Sequence, residues 1–378
     1  MQKRKFYIIA HNPNTLAETE EFLKAGANAL EPDVCFDAGK PERFFISHGT
    51  FGSNPFDAEH SLVAYLRGLK AMLTDASKGY GLALIAFDVK TPTFDINEFL
   101  RVVFENFNGH PACDEVAVLI TVSALSDIGF LNAYDQTRES VGVGIDEENS
   151  ADAVAAGFAG GGQRRFTYAD GSLVPALKPA LFKAIMRGKA LQARGGGEGF
   201  RLVYSWVINR DHPIRSYLDL HVDGMIVDVG VVPHVLELLA EERYGRTYEL
   251  AARGHNPFAA PPPPAYLLTI RTRDAQFAGT DAPVKFTLQG TAGVLESTLD
   301  ADFRGVLERG GEDFLTLEGA DVGEVASLTI SAQGKGLNPD WLPESVTLES
   351  GLLPAPLTFQ YGPEDWLKFG RPLTKSPA

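Results

Sequence analysis

The sequence predicts a TIM-type (β/α)₈ barrel followed by a small all-β sandwich, an α/β domain and then a β domain. Three observations carry the prediction. Short apolar, β-rich runs alternate with helical patterns from the start to about residue 240, which is the signature of repeated βα units around a parallel sheet. The segment Ala259-Ala-Pro261-Pro-Pro-Pro264 then stops that rhythm with the stiff composition of a spacer. Beyond it, alternating or apolar runs lie between Gly, Pro and Asp turns with little helical periodicity. The expected organisation is a barrel over 1–258, a proline-rich linker over 259–264 and a sandwich over 265–378. A barrel takes about 250 residues, so the 378 residues have room for both.

Taken in order, the strand candidates of the first part are Phe6 to Ala10, Ala29 to Val34, Phe44 to Ser47, Leu82 to Val89, Val116 to Thr121, Ser140 to Gly144, Arg165 to Tyr168, Leu202 to Val207 and Gly224 to Val227. Nine candidates compete for eight places, so one of them belongs elsewhere. The first helix is marked by the capping box Thr15-Leu-Ala-Glu18, by Leu16, Leu23 and Ala27 on one face, and by Gly26 near its end. In the second part the candidates are Tyr266 to Thr272, Val284 to Leu288, Ala326 to Ile330 and Ser345 to Leu348. No internal repeat is present in the sequence.

Composition narrows the function classes. A formal charge of -15 disfavours wrapping a nucleic acid, which needs many cations against phosphates. One small phosphodiester needs only one or two local cations. No stretch approaches the ~18–20 uninterrupted apolar residues of a membrane-spanning helix. Cys35 and Cys113, the two cysteines, cannot build a disulfide framework and read as structural. Met1-Gln-Lys-Arg-Lys5 runs straight into Phe6, without the apolar core and cleavage site of a signal peptide.

The chemistry lies at strand ends. Strand geometry sends residues i and i+2 to one face, which pairs Glu31 with Asp33, Asp88 with Lys90, and Tyr204 with Trp206. In a TIM barrel the C-terminal strand ends build the site, so these pairs are expected to converge there. Three facing carboxylates repel unless a cation neutralises them, and all-oxygen ligation suits Mg²⁺ better than Zn²⁺. His11 follows the first strand candidate and His48 the third. Two histidines across a substrate can deprotonate a nucleophile and protonate a leaving group. Singly, each of these residues reads as well as a structural feature; in order, they read as a site.

His11-x-x-Asn14, Gly26-Ala-Asn-Ala-Leu-Glu31-Pro-Asp33-Val34, Ser47-His48-Gly49 and Phe87-Asp88-Val-Lys90-Thr91, in that order, resemble the sphingomyelinase D family of arachnid venoms and bacterial toxins, a branch of the glycerophosphodiester phosphodiesterase barrels. Tyr204-Ser-Trp206-Val-Ile-Asn209, Val222-Asp-Gly224-Met-Ile226 and the tail Ala251-Ala-Arg-Gly-His-Asn256-Pro257-Phe258 extend the likeness across residues 5–258. The resemblance implies a metal-dependent phospholipase D that releases the head-group alcohol of sphingomyelin, ceramide phosphoethanolamine or lysophospholipids, with cyclic phosphate formation. It implies Mg²⁺ on Glu31, Asp33 and Asp88, acid and base roles for His11 and His48, phosphate contact by Lys90, and a pocket lined by Asn14, Tyr204 and Trp206. A monomeric, secreted protein acting on a membrane surface follows from the same likeness. The alternatives are an ordinary glycerophosphodiesterase and an inactive lipid-binding protein.

Departures from the family pattern are visible. The loop Gly49 to Asp57 has no cysteine where the venom enzymes carry a disulfide. Asn209 stands where many relatives have aspartate and Asp228 where many have asparagine, while His255 and Phe258 replace the usual aspartate and tryptophan. The second part weakly resembles a PLAT domain over about 265–368, a module that docks enzymes on lipid or protein. In it Asp274 and Asp281 offer oxygen ligands for Ca²⁺, plain turn chemistry being the other reading. On this view the second module serves membrane engagement, and the barrel keeps its site when cut free.

Overall fold

The computed structural model describes residues 3–49, 54–147, 150–171, 180–195, 199–258, 265–301, 305–334 and 338–378. The proline run and much of the loop after His48 lie outside the described residues. The first part holds strands β1 (Arg4–His11), β2 (Ala29–Glu31), β3 (Asp33–Phe36), β4 (Phe44–Ile46), β5 (Leu84–Val89), β6 (Ala117–Val122), β7 (Val141–Ile145), β8 (Phe166–Gly171), β9 (Val203–Trp206), β10 (Gly224–Val227) and β11 (Tyr248–Leu250). Parallel pairing runs from β1 through β2 and β3, then β5 to β10, and back to β1, which closes an eight-membered barrel wrapped in helices. β2 and β3 form one barrel position split at Pro32, which has no N–H to give to a neighbouring strand.

The surplus ninth candidate is β4. It pairs antiparallel with β3, Val34 opposite Ile46, and is not a stave of the barrel. Residues 37–43 are too few for the crossover of about a dozen residues that a parallel neighbour requires. The first helix, α1 (Leu16–Ala25), has its full capping box, and Gly26 adopts φ 104° to end it.

Inside the barrel Tyr7, Ile9, Leu84, Ala86, Leu119, Tyr204 and Ile226 pack with the tail residues Ala251 and Phe258. The ring of Phe258 lies so close to Gly142, near the start of β7, that a Cβ there would sit 2.4 Å from it. His255 Nδ1 lies 2.8 Å from the Tyr7 hydroxyl, and Asn256 donates to the Glu139 carbonyl at 2.9 Å. The tail thus closes the end of the barrel opposite the C-terminal strand ends. Phe258→Ala is expected to cost about 3–5 kcal/mol through the cavity it leaves, read as a lowered Tm with turnover retained below that temperature.

The second part is a sandwich of two antiparallel four-stranded sheets, formed by β12 (Ala265–Thr272), β13 (Val284–Gly290), β14 (Val294–Leu299), β15 (Glu312–Glu318), β16 (Val325–Ala332), β17 (Pro343–Glu349), β18 (Leu357–Gln360) and β19 (Leu373–Lys375). Their orders are β15-β12-β17-β18 and β14-β13-β16-β19. Phe286, Leu288, Leu328, Ile330, Val346, Leu348 and Trp341 fill the space between them.

Edge strand β15 lies along the barrel helix Ala180–Gly195, and charge joins the two domains there. Lys183 reaches Asp313 at 3.1 Å and Arg194 reaches Glu349 at 2.6 Å. Between them a largely buried cluster spans the interface: the Arg4 guanidinium bonds both Asp223 of the barrel and Glu318 of the sandwich. Lys189 Nζ stands 3.6 Å from Asp223, and His221 Nδ1 stands 3.1 Å from the Thr316 carbonyl. Burial opposes the charge on Glu318, yet Arg4 and its neighbours outweigh it and bring the carboxyl down to about 2. Burial takes His221 down to about 4, so it is neutral at pH 7. The expectation of a freely separable second module meets a built interface here, since without the sandwich Arg4 loses Glu318 and keeps Asp223 alone.

Candidate active site

Three carboxylates meet at the C-terminal strand ends. Parallel register sets Asp33 of β3 beside Asp88 of β5, and His11 of β1 beside Glu31 of β2. Oxygens of Glu31, Asp33 and Asp88 all lie within 4.8 Å of one another, and all three side chains are buried. Among the described residues this is the only such cluster. Asp274 and Asp281 do not join one: Asp274 is paired with Arg309 at 2.6 Å and Asp281 accepts the Asn338 N–H at 2.8 Å.

The acidic cluster carries the electrostatic stress that a cation would relieve. Burial first, then Asp33 and Asp88, pushes the Glu31 carboxyl well above the ordinary range. Burial also raises Asp88, against the pull of Lys90. Oδ1 atoms of both Asp33 and Asp88 are buried without an aligned hydrogen bond. Burial works against the Lys90 ammonium, but Asp88, Asp33 and Glu31 prevail and hold its pKa above the usual lysine value. Lys90 bonds Asp88 and lies 3.0 Å from Asp33, one positive charge among three negative ones. The donor set and the buried Asp88 Oδ1, left without a hydrogen bond, fit a hard divalent cation.

Neighbours hold these ligands in place. Asn14 donates to Asp33 Oδ2 at 2.6 Å and accepts the Asp33 N–H at 2.9 Å, so it touches a carboxylate where a pocket-lining role was expected. Asn12, at φ 48°, turns its N–H onto Glu31 Oε2 at 3.0 Å.

His11 and His48 reach the mouth from different elements. His11 Nδ1 lies 3.0 Å from Asp228 Oδ1, just beyond β10. Asn209 donates to Asp228 Oδ2 at 2.5 Å and accepts the Asp228 N–H at 3.0 Å, a reciprocal clamp. The two departures in the sequence are thus one exchanged pair, and Asp228 is a site residue the sequence reading did not select. Its signal was available: it comes just after β10, level with His11 at the end of the adjacent β1. His48 is exposed and lies just beyond β4, where the Ser47 N–H bonds the Asp33 carbonyl at 3.0 Å and brings the backbone before His48 next to Asp33.

Tyr204 and Trp206 separate by depth. Tyr204 is buried in the barrel interior, where burial and then Asp146 raise its pKa well above the usual phenol value. Trp206 is half-buried and donates its indole N–H to the Asp146 carbonyl. Asp146, at the end of β7, was missed as well; burial and then Asp88 push its carboxyl well above the ordinary range.

The chain is similar to known proteins along both parts. A dermonecrotic toxin of Loxosceles deserta is 25% identical over 67% of this chain and 98% of its own length. One of Loxosceles arizonica is 25% identical over 68% and 89%. One of Loxosceles rufescens is 25% identical over 67% and 98%. Residues 266–370 match the PLAT/LH2 domain model. Residues 1–258 match the dermonecrotic toxin SPH model, and the chain belongs to that family of metal-dependent, sphingomyelinase D-type phosphodiesterases.

Proposed function

We propose that this chain is a Mg²⁺-dependent phospholipase D that detaches the head-group alcohol from sphingomyelin or a close relative by attack of the lipid's own hydroxyl, leaving a cyclic phosphate. One observation carries the reading: a buried Glu31, Asp33, Asp88 cluster with Lys90 at its edge, flanked at one barrel mouth by His11 and His48. Glu31, Asp33 and Asp88 would hold the divalent cation, which would supply positive charge to the phosphate as negative charge grows on its oxygens. Lys90 adds a second, fixed positive charge at the same phosphate.

The histidines divide the proton work. With Nδ1–H donated to Asp228, His11 keeps the Nε2 lone pair free to take the proton of the attacking hydroxyl, and Asp228 stabilises the imidazolium that results. The new O–P bond forms as the bond to the head group breaks. His48 gives a proton to the departing alkoxide, and the two histidines exchange protons with water before the next turnover. An internal hydroxyl is favoured over water by proximity. Trp206 offers an aromatic face for a quaternary ammonium head group. Secretion is inferred from kinship with toxins.

Phosphorus NMR of sphingomyelin products tests the reading, with a cyclic phosphate resonance expected and a linear monoester pointing to water as nucleophile. Excess chelator is expected to abolish turnover and Mg²⁺ to restore it. Undiminished activity in chelator, or full activity of Asp33→Asn, removes the metal assignment.

A further inference from the structure

Four arginines gather at the barrel floor. Arg138 precedes β7, Arg164 and Arg165 precede β8, and Arg201 precedes β9. These strands are neighbours, about 4.8 Å apart, and their starting ends lie opposite the mouth. Arg138 and Arg164 are exposed, while Arg165 and Arg201 are half-buried.

The loops hold them in place. Gln136, in left-handed backbone at φ 56°, accepts the Arg164 N–H on its side chain at 3.1 Å and donates to the Gly162 carbonyl at 3.0 Å. Its own carbonyl accepts Arg165 Nη2 at 2.6 Å, and Arg165 Nε donates to the Val141 carbonyl at 3.2 Å. Arg201 Nε donates to the Arg164 carbonyl at 3.2 Å. The Arg138 guanidinium lies over the Phe104 ring, 4.0 Å from its centre, an attraction that supplies no anion.

Charge balance is missing here. In a chain of net charge -15, Lys78, Arg101, Arg187, Arg215 and Arg243 each have a carboxylate partner. Among the described residues no carboxylate pairs with Arg138, Arg164 or Arg165. Asp135 takes the Thr137 N–H at 3.2 Å, Glu139 is exposed, and Glu198 lies outside the described residues. Burial and then Arg165 lower the Arg201 pKa below its ordinary value, as a neighbouring like charge does. The carbonyl end of the helix Ala151–Gly160 offers about half a negative charge, too little for four cations.

The surroundings select the partner. Protein interfaces close around aromatic or aliphatic anchors, and single-stranded nucleic acids stack their bases on aromatic rings. The exposed large apolar side chains are Val229, Phe277, Val294, Leu352 and Phe369, none of them in these loops, and the Phe104 ring is covered by Arg138. What remains is a set of guanidinium forks, which grip oxyanions through paired hydrogen bonds. The net charge gives no long-range attraction, so the anion must be held by direct contact.

We propose that Arg138, Arg164 and Arg165 form a docking site for the sulfate groups of a sulfated glycan, on the face opposite the catalytic mouth. A glycan held there leaves the mouth open to its substrate.

The test is calorimetric titration of the full chain with a heparin oligosaccharide, where binding at low salt that fades as salt rises is expected. Arg138→Gln with Arg164→Gln removes two exposed cations and no core contact, and is expected to weaken binding about tenfold or more. Arg371→Gln, which removes an exposed, unpaired cation of the sandwich, is expected to bind as wild type. Turnover of a dissolved lysophospholipid, with Mg²⁺ in excess, should be unchanged by saturating heparin. Wild-type affinity in the double variant, an equal loss in Arg371→Gln, or equal binding of desulfated heparin or polyglutamate overturns the proposal. Heparin that blocks turnover by occupying the mouth overturns it as well. Heparin binding with the expected variant effects, in a protein that turns over no phospholipid, leaves the docking site standing and removes the phospholipase reading.

Discussion

His11→Ala and His48→Ala are each expected to lower turnover by about 10²–10⁴-fold while the protein stays folded, because each residue handles a different proton. Neither side chain is part of the hydrophobic core: His11 is 26% exposed and His48 lies open at the mouth. The double variant should lose little beyond the worse single one, since a proton route broken at one end is not broken further at the other. Asp228→Asn is expected to give a smaller loss, because an amide still orients the imidazole but no longer stabilises its charged form. Steady-state rates with melting curves on the same samples decide the matter. Activity of either folded alanine variant within about tenfold of wild type, under ~1.4 kcal/mol of barrier, would show the two-histidine scheme to be wrong.

Ending the chain after Phe258 is expected to destabilise the barrel severely, with equal losses of activity on dissolved and membrane substrate. Arg4 and His221 lie within the barrel sequence, yet both are buried against β15, which supplies Glu318 and the Thr316 carbonyl as their partners. In the full chain, Glu318→Ala is expected to cost about 3–5 kcal/mol, the penalty for stranding a buried charge. The interface should also be acid-sensitive. His221 has a folded pKa of about 4 against 6.5 unfolded, so the unfolded chain binds the extra proton, and stability falls as pH drops from about 6.5 to 4. On the order of 3 kcal/mol is at stake, and the depressed Glu318 carboxyl adds to the loss once pH passes below about 4.5. Melting temperatures at pH 7 and 5 should therefore diverge in the wild type and converge in His221→Asn. A truncated barrel that melts with the full chain would refute the coupling.

Much of the site was legible because catalytic geometry and strand periodicity share a grammar. Glu31 and Asp33, or Asp88 and Lys90, stand two apart at a strand end, and a barrel has one mouth to which strand ends go. β4 was legible as a strand but not as an outlier, since its place depends on the short connection before it rather than on its own residues. Asp228 and Asn209 were noticed only as departures, because a reciprocal hydrogen bond joins residues 19 apart and no spacing rule reaches across a helix and a strand. The interface was illegible for a stronger reason. Arg4 reads as one of several basic residues before an apolar run, and its burial is decided by Glu318, 314 residues away.

The plugged floor makes the barrel a socket rather than a sleeve. With Phe258 against Gly142 and the interior filled by Tyr7, Leu119 and Tyr204, nothing can pass along the barrel axis, and the mouth is its one opening. On the phospholipase reading, whatever the site accepts must enter and leave by the same door.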